Sequence, residues 1–253
     1  MITSKNNGQL KNVKKLMESP KERREKKLFV IEGLRLVNEA PVSQVECLYV
    51  SETMERSGKI DLSRYRNIEV VSDEVFNSFS GTVTPQGVMA VVKMPEYEFR
   101  GGAEKATLLI LDDIQDPGNL GTMMRTAEAA GVSGVIMSPG CVDIYNPKVI
   151  RSTMGSIFRV PFVICDLVPE IENLKMDGYA VYGAALDGAS FYTDVEYPDK
   201  RAVVIGNEGR GISESVLNSV SEKIKIPMEG KVESLNAAVS AAVIVFYLYN
   251  LSR

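Results

Sequence analysis

The second half of the chain alternates short apolar runs with segments of helical pattern, and this alternation constrains the fold most. Apolar runs predict strands at residues 107–111, 134–137, 160–164, 180–185, 202–205 and 223–226. Helical patterns fill the gaps, the longest at residues 119–130 and 234–249. Strands of continuous apolar residues separated by helices are typical of a parallel sheet covered on both faces. The sequence therefore predicts an α/β domain over residues 106–253.

The first half predicts a smaller α/β domain over residues 1–94. Strands are expected at residues 28–31, 44–50, 68–71 and 88–93, and helices at residues 10–18, 33–40 and 73–79. Residues 21–27 predict a charged turn. Residues 95–105 contain Pro95, Gly101 and Gly102, which is typical of a linker.

The chain has no histidine, and this excludes several classes of chemistry. Ser-His-Asp and Cys-His catalysis, HExxH zinc sites and imidazole proton shuttles all need that side chain. Cys47, Cys141 and Cys165 form no CxxC pair, so we expect no metal site and reduced thiols in a cytoplasmic protein. The longest apolar run, residues 237–249, is too short to span a bilayer.

The basic residues concentrate near the start of the chain. Residues 1–35 contain ten Lys or Arg and four Glu, a net charge of +6. The remaining residues therefore carry a net charge of −10, which gives −4 for the whole chain. A basic front on an acidic body indicates a localised site for a polyanion. A solvated charged helix explains the same charges equally well.

A first motif lies at Asn119-Leu120-Gly121-Thr122-Met123-Met124-Arg125. Its apolar residues follow helical spacing and define a buried stripe, with Asn119 as a candidate N-cap. Arg125 points away from that stripe. A solvated arginine on an exposed face is one interpretation, but the motif follows the carboxyl end of a predicted parallel strand, where such sheets place ligands.

A second motif, Gly206-Asn207-Glu208-Gly209-Arg210-Gly211, follows another predicted strand. It does not match the dinucleotide pattern GxGxxG, and no GxxxxGK[ST] phosphate loop occurs in the chain. Glu208 would repel a phosphate and favours a cationic or hydroxyl-rich ligand. The alternative is a glycine-rich turn with a capping carboxylate.

A third motif runs from Ile226-Pro227-Met228 through Gly230 to Ser234-Leu235-Asn236. Ser234 is a candidate cap for the last helix, whose first N–H groups are free donors. That helix is apolar nearly all round, so we expect it to be buried in a core or a subunit interface.

Together, Asn119-x-Gly121-x-x-x-Arg125, Gly206-Asn207-Glu208-Gly209-x-Gly211 and Ile226-Pro227-Met228-x-Gly230-x-x-x-Ser234-Leu235-Asn236 resemble the three signature motifs of the SpoU (TrmH-type) RNA 2′-O-ribose methyltransferases of the SPOUT superfamily. The resemblance covers residues 106–250. The N-terminal domain, with Phe29-Val30-Ile31-Glu32-Gly33, resembles the ribosomal-protein-like substrate-binding domain of such enzymes.

The resemblance implies a fold, a cofactor and a substrate. The fold is an α/β SPOUT domain with a C-terminal trefoil knot that forms a homodimer. The reaction transfers the methyl group of S-adenosylmethionine, without a metal, to a ribose 2′-hydroxyl of structured RNA, with ribosomal RNA preferred.

The resemblance also assigns residues of this chain. Catalytic roles fall to Arg125, Asn119 and Glu208. Cofactor binding falls to Gly206, Ile226, Leu235, Asn236, Ser234, Met228, Ala185 and Leu186, the last two in the loop Ala185-Leu186-Asp187-Gly188. The RNA-binding candidates are Arg23, Arg24, Lys26, Lys27 and Arg35.

Three other functions remain open at this point. Transfer RNA is an alternative substrate for the same reaction. A non-catalytic RNA-binding or ribosome-associated protein on the same fold would have lost the reaction, although all three motifs are intact. A nucleotide-dependent α/β enzyme such as a dehydrogenase is disfavoured by the missing glycine fingerprints.

Overall fold

The protein is represented by a computed structural model that describes residues 1–97, 104–187, 189–232 and 234–251. The chain forms two compact units, residues 1–96 with 143–158 and residues 97–142 with 159–253. Residues 98–103 of the predicted linker at 95–105 lie outside the described residues, as does Gly188 of the loop that follows Ala185. The predicted domain bounds stay a prediction, and the sequence did not anticipate that residues 143–158 pack with the first unit.

The helices and strands follow the chain in this order: α1 (Gly8–Glu18), α2 (Pro20–Lys26), β1 (Leu28–Glu32), α3 (Leu34–Glu39), β2 (Val45–Ser51), α4 (Glu52–Ser57), β3 (Ile68–Val71), α5 (Asp73–Phe79), β4 (Val88–Lys93), β5 (Ala106–Leu111), α6 (Pro117–Ala129), β6 (Gly134–Met137), α7 (Pro147–Thr153), β7 (Phe162–Ile164), α8 (Leu167–Met176), β8 (Ala180–Ala184), β9 (Ser190–Phe191), β10 (Lys200–Ile205), α9 (Glu214–Ser219), β11 (Glu222–Lys225) and α10 (Ala237–Leu251). Short 3-10 helices occur at Val42–Gln44, Leu62–Arg64 and Ser156–Phe158.

The first unit is built on a mixed sheet with the strand order β1-β4-β2-β3. β4 runs antiparallel to β1 and β2, and β2 runs parallel to β3. On one face, Val13 of α1 and Phe76 of α5 pack with Val30 and Met89 of the sheet. Residues 143–158 add an aromatic contact, in which the ring centroids of Phe29 and Tyr145 lie 4.9 Å apart.

The predicted charged turn at residues 21–27 is wrong, because these residues form most of α2. The Ser19 side chain accepts a hydrogen bond from the Glu22 N–H, and Pro20 takes the first helical position, where its missing N–H costs nothing. Lys26 and Glu22 form an ion pair of 2.9 Å one turn apart. Local capping therefore supports a helix in spite of the high charge.

Arg23 lies on the buried side of α2 and is only 1% exposed. Its guanidinium donates to the Asp143 carboxylate at 2.6 and 2.9 Å and to the carbonyl oxygens of Leu16 and Met17 at 2.6 and 3.0 Å. A buried cation persists only when it is paired in this way. We therefore leave Arg23 out of the proposed RNA-binding surface, because its charge stabilises the first unit and does not face solvent.

The second unit contains a seven-stranded sheet, counted within the described part of the chain, with the order β7-β6-β5-β10-β8-β11-β9. Every pair of neighbouring strands in it is parallel. The predicted α/β fold with a parallel sheet is confirmed. The sequence did not predict β9, whose two residues are too few for a periodic pattern. The knot implied by the resemblance stays a prediction.

The core of the second unit explains why its strands carry continuous apolar runs. Leu108 and Ile110 of β5 and Val204 of β10 pack with Ile171 of α8 and Val216 of α9 on one face of the sheet. The alternate residue Leu109 of β5 is also fully buried. Positions buried on both faces of a sheet do not face solvent, so the central residues of β5 and β10 are apolar.

Candidate functional site

The first two motifs meet because the strands before them end side by side. Leu111 of β5 and Ile205 of β10 are paired in register, and a loop follows each strand directly. β8 separates β10 from β11, after which the third motif begins at residue 226. The site therefore lies at the carboxyl ends of neighbouring parallel strands, where α/β sheets place their ligands.

Glu208 joins the second motif to the first. Its carboxylate accepts hydrogen bonds from the N–H groups of Gln115 and Asp116 at 3.1 and 3.0 Å, and from the Asn119 side chain at 2.9 Å. Partial burial raises the pKa of Glu208, but these hydrogen bonds outweigh it, so the pKa lies below its ordinary value. Glu208 is ionised at neutral pH and acts as an acceptor that fixes two loops.

Asn119 and Asn236 join the first motif to the third. The Asn236 side-chain amide donates to the side-chain oxygen of Asn119 at 3.0 Å. Its own oxygen accepts from the N–H groups of Ala238 and Val239 at 2.9 and 3.3 Å, so Asn236 caps α10 in place of the predicted Ser234. In the same way, Asp116 caps α6 in place of the predicted Asn119. Because Asn119 lies inside the first turn, its side chain is free to connect the motifs.

The second motif is a tight loop that excludes a side chain at Gly206. A Cβ atom there would lie 2.1 Å from the Ile212 nitrogen and 2.2 Å from the Gly211 carbonyl carbon. Asn207 and Gly211 exchange main-chain hydrogen bonds of 3.0 and 2.9 Å, which hold the two arms of the loop together. Only glycine allows this close approach of backbone to backbone.

Two carboxylates that the sequence analysis missed hold this loop in place. Asp112 is buried and accepts from the Ser213 N–H at 2.8 Å. The Asp113 carbonyl accepts from the Asn207 amide at 2.8 Å, and the Asp113 carboxylate forms an ion pair with Arg210. The available signal was a pair of acidic residues directly after the apolar run of β5.

A cavity of about 440 Å³ opens beside this loop. Seven of the eight predicted cofactor-binding residues line it, namely Gly206, Ile226, Leu235, Ser234, Met228, Ala185 and Leu186. The eighth, Asn236, does not line the cavity and instead anchors Asn119. Residues that the sequence analysis did not select also line it, among them Asp187, Ile212, Lys223 and Lys225.

The lining fits S-adenosylmethionine by size and by chemistry. The volume lies within the range typical of cofactor pockets, which are mostly apolar with a few polar groups. Ile226 and Leu235 supply an apolar wall for a planar base, and Glu208 and Asp187 supply negative charge for a sulfonium and an ammonium group. Lys225 offers a partner for a carboxylate.

Arg125 lies apart from the cavity lining, on the exposed face of α6. Leu120, Met123 and Met124 form the buried side of the same helix. Among the described residues, no hydrogen bond or ion pair engages the Arg125 guanidinium. Arg125 is therefore a cation that remains available to an anionic ligand.

Known proteins resemble this chain in sequence and in fold. Residues 106–246 match the SpoU rRNA methylase family. The chain belongs to this family. Its residues 7–90 match an MRM3-like substrate binding domain, in line with the resemblance of the N-terminal domain.

Relatives of the SpoU-family chain match it along nearly its whole length. It is 38% identical to the 23S rRNA (guanosine(2553)-2′-O)-methyltransferase RlmP of Bacillus subtilis (strain 168), over 98% of each chain. The crystal structure of an AdoMet-bound rRNA methyltransferase from Sinorhizobium meliloti superposes with a TM-score of 0.87 at 26% identity, covering 99% of this chain and 97% of that one. The SpoU methyltransferase AviRb of Streptomyces viridochromogenes in complex with AdoMet also gives 0.87 at 26% identity, over 98% of each chain.

Four of the five RNA-binding candidates of this SpoU-family chain are exposed. Lys26 and Lys27 are paired with Glu22 and Glu96 at 2.9 and 3.0 Å. Arg24 makes a 3.4 Å contact to a main-chain carbonyl, and Arg35 has no partner among the described residues. Arg35 is thus the most available of the four.

The described residues contain neither a metal-binding cluster nor a helix that could span a membrane. Within residues 1–97, 104–187, 189–232 and 234–251, no group of three or more His, Cys, Asp or Glu side chains is placed to hold a metal ion. Likewise, no described helix is long and apolar enough to cross a membrane.

Proposed function

We propose that this SpoU-family chain transfers the methyl group of S-adenosylmethionine to a ribose 2′-hydroxyl of large-subunit ribosomal RNA. The observation that carries the proposal is the junction of Glu208, Asn119 and Asn236, which holds the three motifs together beside the cavity. The AdoMet-bound relatives support the cofactor. The full-length match to a 23S rRNA enzyme supports ribosomal RNA over transfer RNA, and hence a cytoplasmic site of action.

The bound cofactor supplies an electrophilic methyl group on a sulfonium. The chain must place the 2′-oxygen in line with that methyl group, because orientation alone lowers such a barrier by several kcal/mol. S-adenosylmethionine held in the cavity would supply this methyl group and leave as S-adenosylhomocysteine, and the product would be a 2′-O-methylated ribose. The hydroxyl proton passes to a substrate phosphate or to water.

Arg125 positions the ribose in this mechanism. A guanidinium does not lose its proton near neutral pH, so Arg125 is not the base. Its planar donors suit a phosphate oxygen beside the reacting ribose. Glu208 accepts hydrogen bonds from the loop after β5 and from the Asn119 side chain at the start of α6, so we assign it and Asn119 as positioning residues.

Transfer of tritiated methyl groups tests the proposed function. We expect purified protein to label 23S rRNA transcripts and not transfer RNA, with the label recovered as a 2′-O-methylated nucleotide after nuclease digestion. Label in transfer RNA alone would reassign the substrate. Lack of cofactor binding, even with ribosomal RNA present, would favour the non-catalytic alternative.

We also propose that the chain forms a homodimer through its C-terminal domain, as the family resemblance implies, and that α10 contributes to the interface. Val239 and Phe246 are 47% and 40% exposed, and Ala242 and Val243 lie partly exposed between them. At this spacing they form one apolar stripe, which favours association with a second copy.

Light scattering measures the mass of the protein in solution and tests this dimer. We expect twice the chain mass for the wild type and a shift to the monomer for Phe246→Lys, because a charge in an apolar interface is costly to desolvate. Asn250→Lys, at an exposed polar position of the same helix, serves as the control and should remain a dimer. A monomeric wild-type protein would contradict the proposal.

A further inference from the structure

The first unit contains an open cavity of about 510 Å³ that the proposed reaction does not use. It lies at the carboxyl ends of β1 and β2, where α3 and α4 begin, and beside the loop that leads into β4. Its lining residues are Leu34, Arg35, Asn38, Met54, Lys59 and Gln86.

One wall of this cavity is fixed by Gln86. The Gln86 side-chain oxygen accepts a hydrogen bond from the Leu34 N–H at 2.8 Å. Gly33 precedes Leu34 with a φ of 104°, a conformation that side chains disfavour, and its N–H donates to the Val88 carbonyl at 3.0 Å. The turn after β1 and the loop before β4 are therefore tied together.

A second wall is fixed by Gly87. A Cβ atom at Gly87 would lie 2.5 Å from the Ser51 hydroxyl and 3.2 Å from the Met54 Cβ, so the loop packs directly on the start of α4. The Gly87 carbonyl accepts from the Ser51 N–H at 2.8 Å, and the Ser51 hydroxyl accepts from the Met54 N–H at 3.2 Å. The cavity is preorganised, which lowers the entropic cost of binding.

The polar groups that line the cavity are free to bind a ligand. The side chains of Arg35 and Lys59 are exposed, and among the described residues neither the guanidinium nor the ammonium group has a hydrogen bond or an ion pair. Within the same part of the chain, the amide nitrogens of Asn38 and Gln86 have no acceptor. Leu34 and the buried Met54 add apolar surface between these groups. One concave site thus offers two cations, two amides and an apolar floor.

We propose that this cavity binds one unpaired nucleotide of the substrate RNA together with its flanking phosphates. Arg35 and Lys59 bind the phosphates, the amides of Asn38 and Gln86 contact the base edge, and Leu34 and Met54 contact the base face. Proteins read RNA sequence mainly through unstacked bases in loops and bulges, because the A-form major groove is too narrow for side chains. The proposal rests on the proposed function insofar as RNA is the substrate.

Two arginines at the opposite end of the strands offer a matched control for the loss of positive charge. β2 and β3 are parallel, so residues just before β3 lie at the other end of the sheet from the cavity. Arg64 and Arg66 are exposed there and do not line the cavity. Arg64→Ala with Arg66→Ala therefore removes the same charge as Arg35→Ala with Lys59→Ala, without touching the cavity.

Fluorescence anisotropy of the full-length protein measures the effect on RNA binding, with a labelled unstructured RNA oligomer and a perfect RNA duplex of the same length as probes. We expect the Arg35/Lys59 double variant to bind the single strand about 10- to 100-fold more weakly and with a salt slope smaller by about 1 to 2. The control double variant should change affinity by less than about threefold. The wild type should prefer the single strand, and the cavity variant should lose that preference.

Gln86→Glu separates base recognition from phosphate binding. Glutamate keeps an oxygen for the Leu34 N–H, so the wall stays intact, but it replaces the free amide donor with an acceptor. We expect this variant to change the ranking of affinities among unstructured homopolymers of different bases. An unchanged ranking would contradict the assigned role of Gln86.

Equal loss of affinity in the two double variants would overturn the proposal in favour of diffuse electrostatic binding. The proposal would also be overturned if the wild type bound the single strand and the duplex with equal affinity. Tight binding of a free mononucleotide, with no higher affinity for a longer strand, would overturn it as well. Methyl transfer to 23S rRNA, assayed alongside, tests the proposed function separately. If methyl transfer occurs but the cavity variant binds RNA and reacts like the wild type, only the proposed nucleotide site is wrong. If methyl transfer is absent but the cavity variant selectively loses RNA binding, only the proposed function is wrong.

Discussion

Arg125→Ala is expected to lower the rate of methyl transfer to RNA about 100- to 1,000-fold while the affinity for S-adenosylmethionine stays unchanged. Arg125 is exposed on α6 and does not line the cofactor cavity, so its removal leaves both the helix and the cavity intact. The variant loses the planar pair of N–H donors that we propose to bind a phosphate beside the reacting ribose. Single-turnover methylation of 23S rRNA and calorimetric titration of the cofactor measure the two quantities.

Arg125→Lys separates charge from geometry. Lysine keeps the positive charge but not the planar pair of donors, so an intermediate loss of rate is expected, about tenfold. If lysine restores the full rate, charge alone is sufficient. If the alanine variant retains the wild-type rate, Arg125 has no part in the reaction and its free guanidinium is a solvated surface group.

Gly206→Ala is expected to weaken S-adenosylmethionine binding about 100-fold or more, the equivalent of roughly 3 kcal/mol. The new methyl group would lie 2.1 Å from the Ile212 nitrogen, so the loop must open. Opening pulls Asn207 from Gly211 and shifts Glu208, which holds the neighbouring loop. Calorimetric titration measures the loss.

Gly209→Ala provides the control within the same loop. The nearest atom to a Cβ at Gly209 is the Asn207 side-chain oxygen at 3.8 Å, so alanine fits there. This variant should bind the cofactor within about twofold of the wild type. RNA binding by Gly206→Ala should also stay normal, which separates a local change of the loop from global unfolding. Wild-type cofactor affinity in Gly206→Ala would contradict the assigned pocket.

Local patterns were sufficient to predict most of the elements that build the site. The central residues of β5 and β10 are buried on both faces of the sheet, so they had to be apolar and were visible in the sequence as apolar runs. The glycine at position 206 and the carboxylate at 208 marked a loop with close backbone contacts. The resemblance of three motifs then supplied a cofactor that no periodicity indicates.

Partners distant in the chain were beyond the reach of such patterns. Arg23 looked like a surface cation of a basic segment, but its partner Asp143 lies 120 residues away. Asp112 and Asp113 were not selected from the sequence, although they hold Ser213 and Arg210. Nothing local distinguishes a buried ion pair from two exposed charges.

The sequence by itself determined the parallel α/β class, the loops that carry the motifs and the exclusion of histidine chemistry, because each depends on residue type and short spacing. Only the tertiary structure decided which charges are free. It buries Arg23, engages Glu208 with Asn119, and leaves Arg125 and Arg35 without partners among the described residues. The physical reason is that the availability of a charge depends on the groups that the fold brings within hydrogen-bonding distance, and these come from segments far apart in the chain.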